Sequence, residues 1–95
     1  MTVTGSELRE LKARAQRLEP VLKIGRSGVS DAFLASLDAA LALHGLVKIK
    51  FTDFKEEKKT LAPQIAEKSR SELIMRVGNV AVFHRAKPEP ADLDS

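Results

Sequence analysis

Leu8, Leu11, Ala15 and Leu18 recur at helical spacing in SELRELKARAQRL, which predicts an amphipathic helix over residues 6–18. Ser6 is placed to cap its start, and Glu19-Pro20 ends it because the residue before a proline resists the helical region. The apolar run VLKI (21–24) reads as a short strand. Beyond a glycine-containing corner the helical period returns. Phe33, Leu34, Leu37, Leu41 and His44 share one face of a second helix that Ser30 can cap, with Val29 and Leu34 spaced as a hydrophobic staple. Gly45 stands where a left-handed C-terminal cap belongs. LVKIKF (46–51) then alternates as a strand does.

Residues 52–70 predict a third helix. Asp53 and Glu56 have capping-box spacing, but a helix begun there would carry Pro63 deep inside, losing a hydrogen bond at about 3 kcal/mol. The expectation is a helix that kinks at Pro63 or becomes regular only near Thr60. ELIMRV and VAVFHR are strands joined by Gly78-Asn79, a two-residue loop suited to a type II′ turn. The order is α-β-α-β-α-β-β, with no internal repeat. It predicts an α/β fold with a mixed four-stranded sheet, mostly parallel through right-handed crossovers and closed by one hairpin.

Alternation also sorts side chains by face. Leu22 and Ile24 oppose Lys23; Val47, Ile49 and Phe51 oppose Lys48 and Lys50; Leu73, Met75 and Val77 oppose Ile74 and Arg76. Three strands thus suggest one apolar face under the helices and one cationic face left at least partly wet. A sheet covered on both faces would instead show unbroken apolar runs.

Charge sharpens this picture. Residues 1–87 hold all 16 Lys and Arg but 10 of the 13 acids, a net +6, whereas PEPADLDS contains Glu89, Asp92 and Asp94. One domain over 1–87 followed by a disordered acidic tail over 88–95 is expected. A basic body favours an anionic partner. There is no apolar run of membrane-spanning length and no signal-peptide pattern at the start, and cysteine is absent, so cytoplasm is the default compartment.

The candidate chemistry lies in KIGRSGVS (23–30). Gly25 and Gly28 can take positive φ and admit close backbone approach, and the N-terminus of the second helix follows directly. Arg26 offers a forked donor and Ser27 a hydroxyl, a geometry that resembles the GxxG loop of KH domains. The plainer reading is a turn with a solubilising arginine, and Asp31 would repel an anion. The loop lacks the Gly-Lys-Ser/Thr ending of a nucleotide-binding P-loop. Lys23, Lys48, Lys50 and Arg76 add to the corner, although solvated lysines also serve to block sheet aggregation. Arg9, Lys12, Arg14 and Arg17 spread over the polar half of the first helix, so most are expected to be solvated, with one or two free to touch a ligand. Phe33, Phe51, Phe54 and Phe83 are too few for a base-stacking platform, and Phe33 and Phe51 are expected in the core. His44 and His84 lack companions spaced for a metal or a catalytic dyad, and the acids are scattered. Catalysis is not expected.

The element order, the Gly25-Arg26-Ser27-Gly28 loop between strand and helix, the downstream LHGLVKIK, and MRVGNVAVFHR (75–85) together resemble the CRM domain, the chloroplast RNA splicing and ribosome maturation module, in its stand-alone bacterial YhbY-like form. The likeness covers most of residues 8–87. It implies a two-layer sandwich like the C-terminal domain of translation initiation factor three, and RNA binding through the GxxG loop and nearby basic residues. In the family's single-domain bacterial members this is linked to large-subunit ribosomal precursors. Carried over by position, the binding set is Lys23, Gly25, Arg26, Ser27, Gly28, Lys48 and, where the family has Leu-Tyr-Arg and this chain Phe83-His84-Arg85, Arg85. Lys50 and Arg76 join it from the face pattern. The sequence therefore points to a non-catalytic binder of ribosomal RNA without cofactor, metal, membrane or small-molecule substrate, monomeric by default. The alternative is an interaction module that docks an acidic protein.

Overall fold

In the computed structural model, which describes residues 5–26, 28–53 and 56–85, the chain forms α1 (Gly5–Arg17), β1 (Leu22–Ile24), α2 (Asp31–His44), β2 (Leu46–Phe51), α3 (Lys58–Lys68), β3 (Glu72–Val77) and β4 (Val80–His84). This is the expected order. α1 is already helical at Gly5, so Ser6 lies inside its first turn rather than at its cap. α2 starts and stops as its sequence dictates. The Ser30 backbone is extended, its Oγ accepts the Phe33 N–H at 3.1 Å, and Gly45 at φ 77° returns its own N–H to the Leu41 carbonyl.

α3 begins late, but at Lys58 rather than near Thr60, so Pro63 stands inside the helix and not in its first turn. Asp53 and Glu56 therefore do not cap it. Glu57 holds the N-cap position without a side-chain bond. At the other end Ser71 N–H reaches the Ala66 carbonyl (2.9 Å) and Arg70 N–H the Glu67 carbonyl (3.3 Å), a Schellman closure. Arg70 sits at the left-handed position, φ 56°, that glycine usually takes.

The strands lie in the order β1-β2-β4-β3. β1 and β2 pair in parallel, but β4 slots between β2 and β3, so the other two pairings are antiparallel and the sheet is less parallel than its α/β alternation suggested. The Val77–Val80 pair closes on Gly78 (φ 57°), the only residue of the two-residue loop with positive φ, in keeping with a type II′ turn.

Two apolar clusters sit on opposite faces. Ile24, Val47, Ile49, Phe51, Ala81 and Phe83 pack under α2 and α3, where Phe33, Leu37, Leu41, Ala62 and Ile65 close over them. The intervening strand residues Leu46 and Val82, with Ile74, meet Leu11 and Ala15 of α1. One helix thus covers part of the face expected to be open. Its stripe of Leu8, Leu11, Ala15 and Leu18 could be buried against either side of the sheet, and the free apolar positions were on the second. A bulge between Leu73 and Met75 supplies two of them, turning both Ile74 and Met75 toward α1. No helix among the described residues is long and apolar enough to cross a membrane.

Candidate functional site

The corner after β1 is a tight turn fixed by its own backbone. Gly28 N–H donates to the Gly25 carbonyl at 2.9 Å, Ser30 N–H to the Gly28 carbonyl at 3.1 Å, and Arg26 stands exposed at the tip. Gly28 uses the freedom of glycine, at φ 65°. Gly25 does not: its φ is not positive, and a Cβ there would meet Thr52 Oγ1 at an ordinary 3.7 Å. The turn is tied to β2 through one acceptor. The Ile24 carbonyl receives Thr52 N–H (3.0 Å), Thr52 Oγ1 (3.0 Å) and Asp53 N–H (3.1 Å). Ser27 lies outside the described residues, as do Phe54 and the tail over 88–95.

Beside this corner two cations share one patch. Lys23 and Lys50 are register partners on β1 and β2, both exposed on the same face, with backbones one strand spacing (about 4.8 Å) apart. Neither has a carboxylate partner among the described residues. Like charges facing each other across strands destabilise a sheet, and a bound anion relieves that cost. The hairpin tip closes the same end of the sheet, where Phe51 N–H donates to the Asn79 carbonyl at 2.7 Å.

The remaining candidate cations are placed differently. Lys48 is on the face of Lys23 and Lys50, but α1 ends over it, and its ammonium donates to the Leu18 carbonyl at 2.9 Å. It works as a cation at a helix C-terminus. Arg76 is opposite Ala81, whose side chain belongs to the α2–α3 cluster, so the β3 bulge has moved it off the lysine face to which alternation assigned it. Arg85 lies at the far end of the sheet and is held inside the fold. Its guanidinium pairs with Asp38 Oδ1 at 2.8 Å and donates to the Ser69 carbonyl, clamping α2 to the end of α3. The structure therefore gathers Lys23, Lys50, Arg26 and the glycine turn, and separates Lys48, Arg76 and Arg85 from them.

A feature that residue spacing did not reveal lies at the opposite end of β2. His44 and His84, distant in sequence, line one groove of about 270 Å³ with Arg14, Gly45, Leu46 and Arg85. They meet because Leu46 pairs with His84 and Arg85 N–H donates to the Gly45 carbonyl at 2.8 Å. A neighbouring hollow of about 230 Å³ shares Arg14, His44 and Leu46 and extends to Val21 and Lys48. Among the cations of α1, Arg14 is the one that lines both.

The model of the CRS1 / YhbY (CRM) domain family matches residues 3–85. Relatives include a probable RNA-binding protein of Pseudomonas aeruginosa, 30% identical over 91 residues that span 95% of this chain and 88% of that protein. Another is the probable RNA-binding protein YqeI of Bacillus subtilis, 28% identical over 93 residues and 97% of each chain. Among solved structures, the solution structure of a hypothetical Staphylococcus aureus protein, described as a candidate RNA binder, superposes with a TM-score of 0.78 at 30% identity, over 94% of both chains.

Proposed function

Because the chain belongs to the CRS1 / YhbY (CRM) domain family, whose relatives are named as RNA-binding proteins, we propose that it is a non-catalytic, cytoplasmic RNA-binding protein that holds ribosomal RNA of large-subunit precursors during assembly. The observation that carries the mechanism is the exposed Lys23–Lys50 pair beside the Gly25–Gly28 turn with Arg26 at its tip. Three cations without carboxylate partners among the described residues sit at one end of the sheet, next to a turn whose left-handed Gly28 lets another backbone come close. Phosphate oxygens match them: the guanidinium offers a fork of donors, and the two ammonium groups supply charge whose mutual repulsion the anion cancels. Phe33, Phe51 and Phe83 are buried, which leaves none of them to stack on bases. Recognition accordingly rests on backbone and shape rather than on sequence.

Counterion release gives the test. Engagement of three phosphates predicts a slope of log affinity against log salt of about −2 to −3. The measurement is titration of the purified protein with a ribosomal RNA fragment at several salt concentrations. A flat response, or equal affinity for an acidic polypeptide, rejects phosphate contact by this surface and favours docking of an acidic protein.

A further inference from the structure

The groove at the far end of the sheet gathers basic side chains from three elements, and the glycine turn uses none of them. We propose that this groove, between the second half of α1, the end of α2 and the end of β4, seats a phosphate group. It would be a second backbone contact for the RNA assigned above, and to that extent it rests on that reading. Arg14 comes from α1, His44 from the last residue of α2, and His84 and Arg85 from the end of β4. Among the described residues no carboxylate lines the groove itself; Glu19 lines the adjoining hollow, and Asp38 is already engaged by Arg85.

Two lining residues also carry unsatisfied polar atoms. His84 Nδ1 and Arg85 Nε are buried without a hydrogen-bond partner among the described residues. Unpaired buried nitrogens are uncommon in folded proteins and call for an ion or water as their complement. An apolar guest would leave the polar lining uncompensated, and a cation would be repelled by Arg14. An oxyanion of phosphate size complements the charge of Arg14 and the imidazole N–H groups that His44 and His84 bring to the groove. The groove is separate from the glycine turn. Leu46 borders it, whereas Lys50 marks the other end of the same strand, roughly 13 Å away at the usual rise per residue, too far for one phosphate to bridge.

The test uses the full chain and two probes. Titration with inorganic phosphate, followed by the amide resonances of His44, Gly45 and His84, should give saturable shifts that Arg14→Gln abolishes. In parallel, Arg14→Gln and Arg14→Gln/His84→Gln are titrated with the ribosomal RNA fragment. Affinity should fall by about tenfold and the salt slope should flatten by about 0.7–0.9, the loss of one phosphate. Arg14 is exposed, so its single variant keeps the test open if the double variant fails to fold. Shifts that are absent, with an unchanged slope, overturn the proposal. If RNA binding depends on Arg26 alone, the groove proposal falls and the functional reading stands. If the wild-type protein binds no RNA yet phosphate still shifts His44 and His84, the functional reading falls and the groove remains a site for a free phosphate group.

Discussion

Arg26 projects from a turn fastened at both ends, by the Gly28–Gly25 bond and by the three donors on the Ile24 carbonyl. Its side chain therefore adds contact without supporting the fold. Arg26→Ala should weaken RNA binding by about 1–2 kcal/mol, roughly 5- to 30-fold, with an unchanged melting temperature. Titration and a thermal melt of the same sample check both halves, and a lowered melting temperature would show that Arg26 is structural. Arg70 presents the reverse case. It occupies a left-handed position at φ 56°, where a Cβ is strained. Arg70→Gly should stabilise the protein by about 1 kcal/mol, a rise of about 4–8 °C in Tm, and a fall would mean that the arginine side chain compensates. At this scale the sequence exposes charge but conceals partnership. Lys48 and Arg85 look like Lys23 and Arg26 when read as letters, yet the Leu18 carbonyl and Asp38 engage the former pair and leave the latter free.

Elements were legible where local chemistry determines them. Ser30 and Gly45 delimit α2, Gly78-Asn79 turns the hairpin, and alternation marks β2. Two things were not local. The amphipathic stripe of α1 shows that the helix is buried on one side, but not which face of the sheet buries it. The bulge in β3 falls within the apolar run Leu73-Ile74-Met75, where a change of parity leaves no polar mark, and it carries Arg76 to the other face. α3 tolerates a proline because tertiary contacts through Ala62, Ile65 and Ala66 outweigh the missing hydrogen bond. Pro63 is exposed, so Pro63→Ala should restore that bond without disturbing packing. A gain of about 1–3 kcal/mol in urea denaturation is expected, and no gain would place the helix start beyond Pro63.

For the molecule as a whole, electrostatics and connectivity matter most. Residues 88–95 contribute three carboxylates against a basic body. Their removal should tighten RNA binding at low ionic strength, with the gain fading as the Debye length shrinks toward ~3 Å near 1 M salt. Affinity that is insensitive to the deletion at every salt concentration would remove the tail from the account of binding. Connectivity has a different outcome. The last strand among the described residues, β4, is an interior strand of the sheet, bordered by β2 on one side and β3 on the other. It supplies Ala81 and Phe83 to one cluster and Val82 to the other. Without residues 80–84, β2 and β3 have no common neighbour among the described strands and both clusters lack a wall, so neither core closes before β4 is in place.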